Sequence, residues 1–230
     1  MLIYTNQRIS KKYLKHGIIK PSGTSNVFIK TRQTAIQQVR FLHKGNHIVC
    51  DIIYKKEEKK LKPDNNRYCS IDLGVNNLAT IGSNVVKSII INGRPLKSIN
   101  QFFNKKLAFY KSEIAKKFKK KSSNRIKRLF NKRSNKIKDY LHKTSRYIVN
   151  FLVSNKINTL VIGKNKLWKQ NINIGKKNNQ NFVQIPYDKF NQLLSYKCKL
   201  EGINVILHEE SYTSKCSFFI MKRFVSMKNI

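Results

Sequence analysis

The sequence predicts an α/β fold, because short β-branched strands and long amphipathic helices follow one another along the chain. Three strand signals lie close together at 68–91, and two more lie at 159–162 and 203–207, with helical periodicity between them. Strands separated by helical stretches favour a sheet with helices packed against it. With 230 residues, 40% of them hydrophobic, the chain has enough apolar material for one full domain and a small second one.

Residues 1–66 predict a partial small β domain followed by a linker. The β-branched and aromatic residues at 27–31 and 48–54 are typical of strands. Charged residues dominate 55–66, which indicates an exposed connection. Patterning before these strands is weak, so we expect this domain to be incomplete at its N-terminal side. Its excess of Lys and Arg over Asp and Glu favours nucleic acid as its partner.

Residues 67–218 predict the main domain, and Gly163 and Gly202 mark the ends of two of its elements. The expected elements are strands at 68–73, 78–81, 85–91, 159–162 and 203–207, and an amphipathic helix that follows Pro186. The order is strand, hairpin, helices, strand, helix, strand. This is the order of an RNase H-like α/β core.

A basic helical hairpin is expected as an insertion in this domain, at about 98–156. Apolar residues recur at helical spacing on both sides of a break at 122–124. The segment 105–146 contains 17 Lys and Arg but two acids, Glu113 and Asp139, for which ion pairing is the simplest explanation. The basic residues either contact nucleic-acid phosphates or form a solvated face opposite the packed side, and both descriptions can hold at once.

The overall charge points to a polyanionic partner. Lys and Arg total 48 against 11 Asp and Glu, for a formal net charge of +37. An AT-rich genome explains an excess of Lys over Arg, but it does not explain the scarcity of acids. We therefore expect nucleic acid as the partner. The residues expected to contact it are Lys105, Lys106, Lys119, Lys120, Lys121, Arg125, Arg128, Arg133, Lys169, Lys176 and Lys177.

Other partners and compartments are disfavoured by what the sequence lacks. There is no signal peptide and no apolar run of membrane-spanning length, so we expect a cytoplasmic, nucleoid-associated prokaryotic protein with no membrane partner. The four cysteines contain no C-x-x-C pair, so no zinc is expected. Nothing in the sequence indicates an oligomeric state.

Three carboxylates stand where a divalent-metal site could form. Asp72 ends an apolar strand just before Gly74, and Glu209 and Glu210 follow the strand at 203–207. Phosphodiester cleavage with two metal ions needs converging carboxylates, which makes these three the expected catalytic residues and ligands of Mg²⁺ or Mn²⁺. The simpler alternatives are an Asx turn for Asp72 and a solvent-facing pair for the glutamates.

Several separated motifs, in order, give the sequence a family resemblance. They are Ser70 to Thr80, Ile162 to Asn165, Trp168 to Gln170, Asn178 to Phe182, Ile185-Pro186, Tyr196-Lys197 and Glu209 to Lys215. Over roughly residues 40–218 the chain resembles the TnpB (OrfB) family of transposon-encoded proteins. This resemblance implies a RuvC-type core, a structured guide RNA from the transposon end, and Mg²⁺-dependent cleavage of DNA.

Two departures from the family pattern lower the expected activity. Most of the family has a glutamate at the end of the strand where this sequence has Gly163. In the subgroup that this chain resembles, the glutamate lies in a later motif, which makes Glu209 or Glu210 the expected replacement. Glu209 is favoured because it shares a face with Val205 and Leu207 by period-two alternation. Residues 219–230 read as an aberrant tail without the expected ribbon or third carboxylate motif. We therefore expect nucleic-acid binding with weak or absent cleavage; the alternative is a non-catalytic nucleic-acid-binding remnant or regulator of its insertion sequence.

Overall fold

The computed structural model describes residues 1–44, 47–118, 122–163, 175, 180 and 182–209. The chain divides into two compact units. One consists of Met1–Lys59 with Gln101–Lys138, and the other of Lys60–Asn100 with the chain from Asp139 onward. None of the helices in the described ranges is both long enough and apolar enough to cross a membrane.

The first unit contains a small antiparallel sheet. Its strands are β1 (Leu2–Thr5), β4 (Ile36–Lys44) and β5 (His47–Tyr54), in the order β1-β4-β5. A two-stranded ribbon, a short helix and a 3₁₀ turn accompany it: β2 (Ile18–Ile19), β3 (Ile29–Lys30), α1 (Lys11–Leu14) and Asn6–Arg8. The apolar core of this unit is formed by Ile9, Ile19, Ile36 and Val39. The strand expected at 48–54 is present as β5, whereas its neighbour β4 was not predicted.

The second unit contains a mixed five-stranded sheet. Its strands are β6 (Tyr68–Leu73), β7 (Asn77–Ser83), β8 (Ile89–Asn92), β9 (Thr159–Gly163) and β10 (Asn204–His208), in the order β10-β9-β6-β7-β8. Strands β6, β7 and β8 form an antiparallel meander, and β9 and β10 extend the sheet parallel to β6. Every strand expected in the main domain is present, and the predicted α/β class is confirmed.

Three helices lie between strands of this sheet in the sequence: α2 (Arg94–Phe118) and α3 (Asn124–Ser154) between β8 and β9, and α4 (Tyr187–Lys199) between β9 and β10. Helix α2 begins at once after β8, because the Asn92 side chain accepts a hydrogen bond of 2.9 Å from the Arg94 amide. The predicted break in the hairpin is also present, and the Ser123 hydroxyl accepts a 3.3 Å bond from the Ile126 amide at the start of α3. The apolar stripe of α3 includes Leu141, Ile148 and Leu152, all fully buried.

Helix α4 begins directly after Pro186, as expected from the sequence. Pro186 occupies the N-cap position, and Asp188 lies inside the first helical turn. A carboxylate there still interacts favourably with the helix dipole. The end of α4 matches the prediction, because Gly202 adopts a positive φ of 70° just beyond the helix.

The second half of the predicted linker is held in place rather than free. The Lys62 amide donates a 2.8 Å hydrogen bond to the Gly202 carbonyl, ahead of β10. The Asn158 side-chain amide donates a 2.7 Å bond to the Pro63 carbonyl, ahead of β9. These bonds attach the segment before β6 to the loops that lead into its two parallel partners.

Candidate metal edge and nucleic-acid interface

Asp72 lies on the exposed face of β6, near the C-terminal end of the strand. Burial alternates along β6, so Ile71 and Leu73 are buried while Ser70 and Asp72 are exposed. On the adjacent strand β7, Asp72 pairs with Thr80. The Asp72 carboxylate makes no hydrogen bond or ion pair with any other residue in the described ranges. It is therefore an accessible carboxylate at a strand end, without a partner among the residues that the structure describes.

The strand register identifies the neighbours of Asp72 across the sheet. Ile71 pairs with Ile162 on β9, and His208 on β10 pairs with Gly163. One residue beyond the Ile71 pair, Asp72 lies beside Gly163, with His208 on the same face of the next strand. Neighbouring strands are about 4.8 Å apart, so the backbones of Asp72 and His208 are separated by about 10 Å. Because Gly163 has no side chain, β9 presents nothing between them on this face.

Of the two glutamates expected to bind metal together with Asp72, the structure describes one. Glu209 is exposed and comes just after the end of β10, whereas Glu210 lies outside the described residues. Leu207 pairs with Ile162 and so shares the face of Ile71. Continued alternation puts Glu209 on that face, opposite to Asp72. The shared face that favoured Glu209 in the sequence is thus not the face of Asp72, and the roles of both glutamates stay predictions.

The turn that follows Asp72 is tied to the rest of the second unit. The Tyr187 hydroxyl, at the start of α4, donates a 2.8 Å hydrogen bond to the Gly74 carbonyl. The Gly93 amide donates a 2.7 Å bond to the Asn76 carbonyl, and the Lys97 ammonium donates a 3.2 Å bond to the Asn76 side chain. Helices α2 and α4 therefore position the strand end that carries Asp72.

The carboxylate of Asp72 is the kind of ligand that suits a hard divalent cation. Carboxylate oxygens are preferred ligands of Mg²⁺ and Mn²⁺. Burial raises the pKa of the Cys198 thiol to about 12, which keeps that sulfur protonated and unsuited to bind metal. Within the described parts of the chain, no three His, Cys, Asp or Glu side chains are grouped closely enough to hold a metal ion. Asp72 therefore remains a predicted ligand, and the described residues do not complete a set around it.

The predicted phosphate contacts fall into two structural groups. Lys105, Lys106, Arg125 and Arg128 are exposed on α2 and α3. The guanidinium of Arg125 lies 4.4 Å from the centroid of the Tyr110 ring, which orients it without removing it from solvent. The remaining predicted contacts, apart from Arg133, lie outside the described residues: Lys119, Lys120, Lys121, Lys169, Lys176 and Lys177.

Arg133 belongs to the packing of the first unit. It is half-buried, and its guanidinium lies 4.9 Å from the centroid of Phe103. Phe103 in turn makes an edge contact with Phe130 at 4.8 Å between ring centroids. Burial lowers the pKa of Arg133, which is the direction expected for a cation removed from water. Arg133 therefore has a structural role whether or not it also contacts phosphate.

The two acids within the basic segment are ion-paired, as expected. Glu113 lies 3.4 Å from Lys117, and Asp139 lies 2.8 Å from Lys143, both at helical spacing of four residues. Such exposed pairs contribute little to stability. They leave the net positive charge of the helices almost unchanged.

A family model described as a probable transposase, OrfB_IS605, matches residues 51–169, which is more than half of the chain. The chain belongs to this transposase family. The predicted membership of the TnpB (OrfB) family is thereby confirmed. The matched OrfB_IS605 segment contains Asp72, both long helices and β9, and it ends before Glu209.

Solved structures similar to this OrfB_IS605 protein include two cryo-EM complexes. One is a Cas12f1–sgRNA–target DNA complex, with 20% identity, a TM-score of 0.48, and coverage of 77% of this chain and 43% of that chain. The other is a CRISPR-Cas12f ternary complex, with 17% identity, a TM-score of 0.47, and coverage of 73% and 34%. This chain thus spans less than half the length of either. No curated protein matches it.

Proposed function

We propose that this chain binds nucleic acid and derives from a transposon-encoded, RNA-guided DNA endonuclease with a RuvC-type core. The observation that carries the proposal is Asp72, an exposed carboxylate at the end of β6 within the residues that match the family. The strand order β10-β9-β6-β7-β8, with a meander extended by two parallel strands, supports an RNase H-like arrangement. In this proposal the hairpin of α2 and α3 is an insertion between β8 and β9.

Asp72 would hold Mg²⁺ or Mn²⁺, together with Glu209 or Glu210. A divalent ion in such a site supplies Lewis-acid stabilisation of a phosphodiester and activation of water. The chain's own contribution is to position Asp72 through the turn at Gly74, which Tyr187 holds from α4. Gly163 brings no carboxylate to the adjacent strand, so we propose that cleavage by this chain is weak. Catalytic groups that act as a set lose most of their effect when one is missing.

The basic residues would bind the nucleic acid, in this proposal a structured guide RNA and its DNA target. Exposed cations such as Lys105, Lys106 and Arg128 can approach phosphates without losing a partner among the described residues. Lys and Arg contacts of this kind release counterions and give strong, largely sequence-independent affinity. The net charge of +37 is consistent with many such contacts.

A second candidate is a non-catalytic nucleic-acid-binding regulator of the insertion sequence. It is favoured by the register, in which the neighbouring strands bring Gly163 and His208, and no carboxylate, beside Asp72. Both candidates require the basic surface. They differ in metal dependence, because only an enzyme needs Asp72.

A nicking assay tests the proposal. Wild-type protein, Asp72→Ala and the control Asp51→Ala, which removes an exposed carboxylate in β5, are incubated with RNA from the end of the element, target plasmid and Mg²⁺ or Mn²⁺. We expect all three to bind nucleic acid, with little nicked product from any. Efficient nicking that disappears in Asp72→Ala alone would contradict weak cleavage while supporting the site. Failure of the wild type to bind nucleic acid would overturn the proposed function.

A further inference from the structure

A groove of about 600 Å³ lies in the second unit between α3 and α4. Helix α3 contributes residues spaced four apart, so that they share one face of the helix. The lining side chains include His142, Arg146, Tyr147 and Asn150 from α3 and Tyr196 and Lys197 from α4. Arg146 is the last cation of the basic segment 105–146, and none of the other lining residues named here belongs to the candidate metal site around Asp72 or to the phosphate contacts predicted from the sequence.

Lys197 places a fixed positive charge in this groove. Its residue is only 4% exposed, and its ammonium donates hydrogen bonds to the His142 carbonyl at 2.8 Å and to the Ser145 hydroxyl at 2.7 Å. An ammonium group has three N–H donors, so two are used to hold the lysine against α3. A cation held in this way loses little conformational freedom when an anion binds to it.

Arg146 adds a second positive charge nearby. Its guanidinium lies 3.9 Å from the Glu201 carboxylate, which is a long distance for an ion pair, and its side chain remains 44% exposed. Burial, and then repulsion by the charge of Arg146, lower the pKa of Lys197. A phosphate bound at the groove would relieve this repulsion.

Two tyrosine rings lie in the same groove. Tyr147 is 56% exposed and Tyr196 is 43% exposed. Exposed aromatic rings beside cations are the usual components of a surface that binds single strands, because each unpaired base can stack on a ring. The bases of a duplex are already stacked on one another and do not offer their faces.

We propose that this groove binds single-stranded nucleic acid. Arg146 and Lys197 pair with a backbone phosphate, and Tyr147 and Tyr196 stack on bases. The inference rests on the proposed nucleic-acid binding, and it adds a defined surface and a preference for unpaired strands. It does not depend on metal bound at Asp72.

The test compares two fluorescein-labelled probes, oligo-dT and a mixed-sequence DNA duplex, by fluorescence anisotropy. The proteins are wild type, the double variant Tyr147→Ala/Tyr196→Ala, and the double variant Tyr147→Phe/Tyr196→Phe, which retains both rings. Because base stacking on each ring contributes to the binding affinity, the alanine variant should bind oligo-dT at least about tenfold more weakly than wild type. Its duplex affinity should stay within about twofold of wild type, and the phenylalanine variant should restore oligo-dT affinity.

A charge variant gives an independent measurement. Arg146→Gln should lower the slope of log affinity against log salt for oligo-dT by about one. Lys199→Gln, an exposed cation on α4 outside the groove lining, should leave that slope unchanged. If the double alanine variant fails to fold, Tyr147→Ala alone removes the more exposed ring and serves the same comparison.

Each result decides between the two proposals. Unchanged oligo-dT binding in the alanine variants, or equal weakening for both probes, would overturn the groove as a single-strand site. Wild-type protein that binds duplex but not oligo-dT would overturn the groove alone. Wild-type protein that binds neither probe would overturn both the groove and the proposed function.

Discussion

The Tyr187 hydroxyl donates a 2.8 Å hydrogen bond to the Gly74 carbonyl, two residues after Asp72. Tyr187 opens α4 and is 1% exposed, and burial raises its pKa, so the phenol remains a proton donor at all ordinary pH values. Helix α4 thereby holds the turn that ends the Asp72 strand. The position of the candidate metal ligand depends on a residue more than one hundred positions away in the sequence.

Removing this bond should destabilise the protein measurably. Tyr187→Phe keeps the ring and its contact with Phe182 at 5.4 Å, but it leaves the Gly74 carbonyl without its phenol donor. We expect the free energy of unfolding to fall by about 1–2 kcal/mol, measured by urea denaturation. Tyr68→Phe is the control, because its hydroxyl binds Asp64 on the exposed surface. Equal stability of Tyr187→Phe and wild type would show that the bond does not hold the turn.

Gly202 should be irreplaceable for two separable reasons. Its φ is +70°, and an added Cβ would lie 2.5 Å from the Lys60 carbonyl oxygen. Gly23 has a similar φ of +75° but no atom within 4 Å of an added Cβ. We expect Gly23→Ala to cost about 1 kcal/mol from backbone strain alone, and Gly202→Ala to cost clearly more. Thermal unfolding of both variants measures the difference, and equal costs would contradict the close approach to Lys60.

Salt dependence should separate phosphate contacts from packing cations. For duplex DNA, log affinity should fall linearly with log salt between about 50 and 200 mM, with a slope near −0.9 per neutralised phosphate. The triple variant Lys105→Gln/Lys106→Gln/Arg128→Gln should flatten that slope by up to about three. Arg133→Gln should mainly lower the melting temperature, because its guanidinium covers Phe103. A larger decrease in the slope of log affinity against log salt for Arg133→Gln than for the triple variant would reverse these assignments.

Local patterns predicted the second unit well because its strands are short apolar, β-branched runs that end at turn residues, and its helices are long. The first unit was harder, and β4 shows why. A register shift between Ile36 and Gln38 interrupts the alternation, so the buried residues Ile36 and Val39 are three positions apart rather than an even number. A strand with a bulge does not show the period-two signal that identifies strands in a sequence.

The candidate site was predictable only in part. Asp72 was found from its place at a strand end, which is a local property. Alternation within β10 could show that Leu207 and Glu209 share a face, but not that this face is the one opposite to Asp72. That relation needs the pairing of β6, β9 and β10. The groove depended on a contact between Lys197 and Ser145, which lie on different helices.

Titration of Mn²⁺ into the purified protein, followed by calorimetry, tests the central claim most directly. Wild-type protein should bind Mn²⁺, Asp72→Asn should lose that binding, and the control Asp51→Asn should retain it. This result would establish Asp72 as a metal ligand and justify a search for its partner glutamate. Equal binding by wild type and Asp72→Asn, or no binding by either, would contradict the metal site and leave a nucleic-acid-binding protein without nuclease chemistry.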